Sequence, residues 1–343
     1  MSARRGRGLL VTAALVGAIA ALLTLQIAGS DDGGRPVTTE QPASSRPAAR
    51  TSGSLRIGVT TLALAQNSYR DWTAADLREV DAWERQVRRR TDIVMWFADW
   101  QHVPSFDARQ AAAIAARGAA PEISWEPWDS LNGTPDQPGY RLSAIIRGDF
   151  DRHIDRWARG IAAYGRPVRL RFAQEMNGRW FPWAERANGN RRGEFVRAWR
   201  HVRAIFDRAG AKNVVWVWCP VAGSVRRDQY PGDDQVDVLG LAGFNGGTVA
   251  FRQEWRTFPT AFGPTLDYVH AMAPSKPVEL SEIGSAEEGG SKAAWISGMF
   301  AEVRRRPYIR SLVWFDVRKE ADWRLASSAA AGRAFASELS RAS

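Results

Sequence analysis

From Ser54 onward, short unbroken apolar runs alternate with longer stretches whose apolar residues recur at helical spacing. That order is the pattern of a parallel sheet with crossover helices. The strand-like runs are Leu55–Thr60, Ile93–Ala98, Glu122–Trp125, Val168–Ala173, Val214–Trp218, Val236–Leu241, Val278–Ser281 and Leu312–Phe315. Between them, residues 74–89 place Leu77, Val80, Trp83 and Val87 on one side, behind a Thr73/Asp76 cap pair. Residues 194–209 do the same with Phe195, Trp199, Val202, Ile205 and Phe206, and Gly210 ends that helix. Further helical stretches fall at 107–117, 151–163, 260–272, 290–304 and 328–340. Eight strands with intervening helices over residues 54–343 predict an α/β fold, a (β/α)8 barrel, whose usual size is about 250 residues plus insertions.

The first 53 residues have a different character. Arg4, Arg5 and Arg7 precede an apolar stretch, Leu9 to Gly29, interrupted by Thr12, Thr24 and Gln26. A basic start followed by such a stretch reads as a secretory signal peptide or a signal-anchor, which predicts a secreted or membrane-anchored extracytoplasmic protein. Residues 9–29 are long enough to span a bilayer and, if uncleaved, supply the one expected membrane contact. Residues 30–53 are rich in Pro, Ser, Gly, Ala and Thr without an apolar period, and read as a disordered linker. The expected domains are therefore signal or anchor (1–29), linker (30–53) and one barrel (54–343), as a monomer.

Charge and residue usage narrow the function classes. The net charge of +10 comes from 47 basic against 37 acidic residues, without the tract or motif of a nucleic-acid protein. Runs such as Arg88-Arg89-Arg90 and Arg304-Arg305-Arg306 close helical patterns, where cations suit the helix dipole. Cys219 is the single cysteine, so no internal disulfide forms. His102, His153, His201 and His270 show no metal-ligand spacing, so neither a catalytic metal nor a cofactor is expected. Sixteen tryptophans are several times the usual share. Trp83, Trp157, Trp199 and Trp295 fall on apolar helix faces and read as core, whereas Trp96, Trp100, Trp125, Trp128, Trp180, Trp183, Trp314 and Trp323 sit at strand ends or in loops, where flat rings suit sugar faces.

Glu175 and Glu282 each close a buried-strand pattern, the fourth and the seventh. Both would rise from the C-terminal rim, on opposite sides of the barrel mouth, where barrel enzymes keep their chemistry. Two carboxyl groups facing each other across a sugar ring are the minimum apparatus for glycoside hydrolysis. An arbitrary pair of glutamates would more often be salt-bridged at the surface; the local sequence argues otherwise.

That local sequence resembles glycoside hydrolase family 26, of the endo-β-mannanase type, in the clan of retaining (β/α)8 glycosidases. The pieces are Ser124-Trp125-Glu126-Pro127-Trp128, the run from Arg171 to Trp183, Asn213 to Pro220, Tyr230-Pro231-Gly232-Asp233, Ser281-Glu282-Ile283-Gly284-Ser285 and Val313-Trp314-Phe315-Asp316. The resemblance implies an acid/base at Glu175 and a nucleophile at Glu282. It further implies sugar contacts at Asn177, Trp180 and Trp183, a floor under the sugar at Trp314, and an opposite cleft wall at Trp125, Glu126 and Trp128. Arg171 reads either as a cation placed to hold a neighbouring carboxylate charged or as an arginine in a barrel-core salt bridge. Two positions depart from the mannan-acting pattern: Gln174 stands where a His usually precedes the acid/base, and Phe244 stands where a Tyr hydroxyl usually meets the nucleophile. Asn245 and Tyr230 are the candidates to replace that hydroxyl. The implied activity is an endo-acting retaining β-glycosidase. Its expected partner is a polysaccharide: β-mannan first, with mixed-linkage β-glucan, β-1,3-xylan and an exopolysaccharide as alternatives. A cell-surface polysaccharide-binding protein and a transglycosylase are the competing readings.

Overall fold

The structure, a computed structural model, describes residues 54–65, 72–251 and 254–342, so the expected signal or anchor and the expected linker lie outside the described residues. Eight strands close into a parallel barrel in sequence order: β1 (Arg56–Thr61), β2 (Ile93–Asp99), β3 (Ala120–Glu126), β4 (Val168–Phe172), β5 (Val214–Trp218), β6 (Val238–Asn245), β7 (Val278–Ser285) and β8 (Ile309–Asp316). The predicted (β/α)8 barrel is what the chain forms. Closure pairs β8 with β1, Leu312 beside Ile57 and Trp314 beside Val59. The helices are α1 (Leu62–Ala65), α2 (Arg78–Val87), α3 (Ala108–Ala116), α4 (Leu142–Arg147), α5 (Asp151–Tyr164), α6 (Glu194–Arg208), α7 (Phe258–Met272), α8 (Lys292–Arg305) and α9 (Ala329–Ala342). Among the described residues, no helix is long and apolar enough to cross a membrane.

The pleat sorts each strand into two faces. Outward residues meet the helices: Trp125 packs on Trp157 (5.2 Å) and Phe206 (5.7 Å), and Trp314 on Phe335 (5.6 Å) and Trp295 (6.2 Å). This layer carries most of the apolar burial, at roughly 25 cal/mol per Å² removed from water. Inward residues are largely polar. Arg169 donates to Glu122 Oε2 at 2.5 Å and also pairs with Glu279, which accepts from Ser281 (2.8 Å) and Ser311 (2.6 Å). Burial, with the neighbouring Glu279, pushes Glu122 up to about 7. Burial opposes charge on Glu279 too, but Arg169 and the two serine hydroxyls outweigh it and hold that carboxyl below its usual range.

Such a knot specifies strand register more than it adds stability, yet breaking it is costly, because the remaining ions stay buried. Arg169→Met should therefore destabilise the barrel by about 3–5 kcal/mol, read as a lowered midpoint in denaturant. An unchanged midpoint would show that the two glutamates simply take up protons.

Candidate active site

Glu175 sits just past β4 on backbone that most side chains avoid. Ala173 and Glu175 both have positive φ, 50° and 55°. Left-handed non-glycine residues cost about 1–3 kcal/mol each and persist where their surroundings over-determine them. Here the Ala173 N–H donates to the Trp125 carbonyl (3.1 Å) and the Glu175 N–H to the Cys219 carbonyl (2.7 Å), while Trp183 Nε1 donates to the Gln174 carbonyl (2.6 Å). The loop is thereby bolted to both neighbouring strands and aims the Glu175 carboxyl into the mouth.

Glu282 reaches the same space from β7 through an irregularity. Strict alternation after Glu279 and Ser281 would turn Glu282 outward with Leu280. The β7–β8 register shifts between Leu280 and Ile283, and the β6–β7 register shifts beside it. A bulge re-aims a side chain, and Glu282 joins the inner face. There Arg171, fully buried, donates to Glu282 Oε2 at 2.6 Å and to the Ser281 carbonyl at 2.8 Å. Arg171 is thus the cation of the nucleophile candidate. Neither substitute for the missing tyrosine hydroxyl takes up that role: Asn245 bonds Ser285 (3.1 Å) and the Arg256 N–H (3.0 Å), and Tyr230 donates to Asp233 (2.9 Å).

The two carboxyl groups differ in their partners. Glu175 has no ion-pair partner among the described residues and accepts one hydrogen bond, from Trp180 Nε1 at 2.6 Å. Burial first, and the charge of Glu282 second, push Glu175 up to about 7 against that indole's opposing pull. One carboxyl is ion-paired, and the other is poised to carry a proton near neutrality. That division is the requirement for acid and nucleophile in one site.

A third carboxyl lies alongside. Glu126, at the end of β3, accepts from Gln174 Nε2 (2.6 Å) and Trp128 Nε1 (3.2 Å), and burial pushes it up to about 8. The Oε1 of Gln174 is buried and has no partner. Position 174 therefore holds an unpaired buried acceptor beside the acid, and one of its two amide N–H groups is committed to Glu126.

Four expected sugar contacts are placed elsewhere. Trp125 and Trp314 face the helices with no exposure, so they form neither cleft wall nor floor. The reason is strand parity: Glu126 and Phe315 point inward, which turns their neighbours out. Trp183 is also fully buried; it stacks on Phe181 (4.3 Å) and meets Trp128 edge-on (5.6 Å), supporting the two half-exposed rings from beneath. Asn177 clamps Val221 reciprocally, donating to its carbonyl (2.8 Å) and accepting its N–H (2.9 Å), and so ties the β4 loop to the β5 loop. Trp180, Trp128 and Phe244 remain partly exposed. Phe244 packs on Trp323 (4.9 Å) and Phe315 (5.3 Å), and both Phe244 and Trp323 lie against Gly284, two residues past Glu282. Trp323, one of the loop tryptophans marked from the sequence, packs on this side with Phe315, which reading by position missed and the alternation of β8 would have found. Among the described residues, no group of three or more His, Cys, Asp or Glu is placed to hold a metal ion.

A parallel barrel with unlike buried carboxyl groups rising from β4 and β7 is an arrangement suited to carboxyl chemistry at the mouth of a (β/α)8 barrel. Residues 124–276 match glycosyl hydrolase family 26. The chain is 34% identical over 251 residues to Endoglucanase H of Acetivibrio thermocellus, covering 70% of this chain and 26% of that protein. It is 26% identical over 159 residues to mannan endo-1,4-beta-mannosidase of Bacillus subtilis, covering 45% and 39%. In structure it resembles the catalytic domain of an endo-beta-1,4-mannanase from Bacillus sp. JAMB-750, with TM-score 0.61 and 16% identity over 84% of this chain and 86% of that one, a likeness of fold. The chain belongs to glycosyl hydrolase family 26. It spans about a quarter to two-fifths of the length of these two curated relatives.

Proposed function

We propose that this chain is an exported, endo-acting β-glycosidase that hydrolyses a β-linked polysaccharide with retention of configuration. The observation that carries the reading is the asymmetry of the carboxyl pair, Glu282 bound to Arg171 and Glu175 held near neutrality without an ion-pair partner. In the first step a Glu282 oxygen attacks the anomeric carbon as the glycosidic bond breaks, and the proton on Glu175 passes to the leaving oxygen. In the second, Glu175 takes a proton from water, whose oxygen displaces Glu282 from that carbon. The enzyme is regenerated, and the two inversions give net retention. Trp180, Trp128 and Phe244 are the half-exposed rings available to stack on sugar faces.

For the polymer, β-mannan is the leading substrate, consistent with the mannosidase relative. Mixed-linkage β-glucan is the second, and two observations favour it: the higher identity to a protein named endoglucanase, and Gln174 where mannan-acting members carry His. Incubating the protein with β-mannan, mixed-linkage β-glucan and β-1,3-xylan, and following reducing ends, product lengths and the anomer first formed, tests the proposal. Inverted first products, or no new reducing ends on any polymer, would overturn it.

Gln174 also supports a prediction about specificity. A histidine ring presents a rigid donor and acceptor, whereas the glutamine amide gives one N–H to Glu126. Gln174→His should shift relative kcat/KM toward mannan over mixed-linkage glucan by about 1–3 kcal/mol, the scale of a few polar contacts. An unchanged ratio would mean that position 174 does not read the sugar.

A further inference from the structure

The face of the barrel opposite the mouth carries an excess of arginine. Helices of a (β/α)8 barrel run back against the strands, so their C-terminal ends gather at the strands' N-terminal face. One cation per helix end would suit the dipoles. The end of α2 has four arginines: Arg85, Arg88, Arg89 and Arg90. Its acids are already occupied, because Glu84 takes Arg90 (2.7 Å) and Arg117 (3.1 Å), and Asp92 takes Arg89 (3.3 Å). Exposed Arg85 and Arg88 have no acidic partner among the described residues, and neither does exposed Arg333 on α9.

These side chains surround two adjoining depressions. One, of about 420 Å³, is lined by Arg85, Arg88, Arg89 and Arg90 together with Asp81 and Glu84, the acids that Arg117 and Arg90 already pair; the other, of about 1030 Å³, runs between α2 and α9 and adds Arg333 and Ser337. Arg88 and Arg89 line both. The chain enters the barrel here: Arg89 donates to the Leu55 carbonyl at 2.9 Å, one residue before β1 begins. The 53 residues that precede Ser54, with the apolar stretch 9–29, are therefore joined to the molecule at this basic face and away from the mouth.

We propose that the arginine-lined face at the root of β1 docks on the anionic phospholipid surface of the bilayer that residues 9–29 enter, so that the catalytic mouth points away from the membrane. Guanidinium groups pair with phosphate in a bidentate way, and concave clusters of them suit headgroups better than a flat polymer strand. A coil of 24 residues, the number between Gly29 and Ser54, would reach roughly 25–30 Å, beyond the ~8 Å Debye length at physiological salt. The tether alone thus leaves the barrel free to turn, and headgroup contact is what fixes its orientation.

The test uses the full chain in vesicles of phosphatidylcholine, with or without phosphatidylglycerol. Cys219 is buried, so an exposed engineered cysteine takes a fluorophore selectively. Ser337→Cys reports the basic face, and Leu131→Cys, in a loop beyond β3 at the mouth, reports the opposite end. With a headgroup-attached quencher, phosphatidylglycerol should quench the label at 337 and leave that at 131 bright. Arg88→Gln should weaken the effect about fivefold, the scale of one surface arginine at an anionic leaflet, and Arg88→Lys, which keeps the charge but not the bidentate fork, should weaken it less. Equal quenching at both positions, or quenching indifferent to phosphatidylglycerol, would overturn the proposal. So would soluble polyglycerol phosphate shielding the 337 label as well as the vesicles do, because the partner would then be a wall polymer. None of these readings depends on glycoside hydrolysis.

Discussion

Glu282→Ala will lower kcat by roughly four orders of magnitude or more, and added azide will restore part of the turnover with the product's anomeric configuration inverted. The truncation leaves a space beside the anomeric carbon that a small anion can enter and attack from, so one inversion replaces two. It also leaves Arg171 buried without its carboxylate. Breaking a buried pair in this way costs about 3–5 kcal/mol, so the variant should melt earlier in plain buffer and recover when azide supplies the missing charge. The thermal and kinetic responses to azide therefore report one binding event. Turnover close to that of the parent would remove Glu282 from the nucleophile's place.

How much of this site the sequence shows is a matter of strand parity. The alternation of apolar and amphipathic runs is enough to place eight strands, because each run is bounded by turn chemistry and each helix has its own period. The boundaries then differ: β3 starts at Ala120 and β7 runs on to Ser285, past the predicted Glu122 and Ser281. Glu122 and Glu279 themselves fall inside the predicted runs; the residues left out are Ala120, Pro121 and Glu126 of β3 and Glu282 to Ser285 of β7, beyond the points where each apolar run breaks off. The same alternation should have separated Trp125 from Glu126 and Trp314 from Phe315. Adjacent strand residues cannot both line one cleft. The placement of Glu282 runs the other way: simple parity would have turned it outward, and the bulge at Leu280–Ile283 is a property of pairing with β8 that no single segment records. Trp323 is legible as a loop tryptophan, but its packing partners are not. Its ring meets Phe244 and Phe251 through the fold, from a loop whose path the sequence does not specify.

Glu175→Gln should separate catalysis from stability in opposite directions. The amide cannot deliver a proton, so kcat on polysaccharide should fall by about 10²–10⁴, while aryl glycosides whose leaving groups need no protonation keep a fast first step. The parent's kcat/KM should decline as pH rises through about 7, where the Glu175 proton is lost, and the variant should lack that limb. Stability follows from the same proton. Because burial raises the Glu175 carboxyl from an ordinary 4.5 to about 7, the folded protein binds the proton more tightly than the unfolded chain does. Raising the pH through that interval therefore removes stability, and at about 1.4 kcal/mol per unit the loss approaches roughly 3 kcal/mol above pH 7. Glutamine never ionises and keeps an oxygen for the Trp180 indole, so the variant should unfold at higher denaturant than the parent at pH 8 and lose that advantage near pH 4. Equal midpoints at both pH values would mean that Glu175 titrates as an ordinary carboxyl, and the acid role would then need another residue, with Glu126 next in line by its burial and its bond to Gln174.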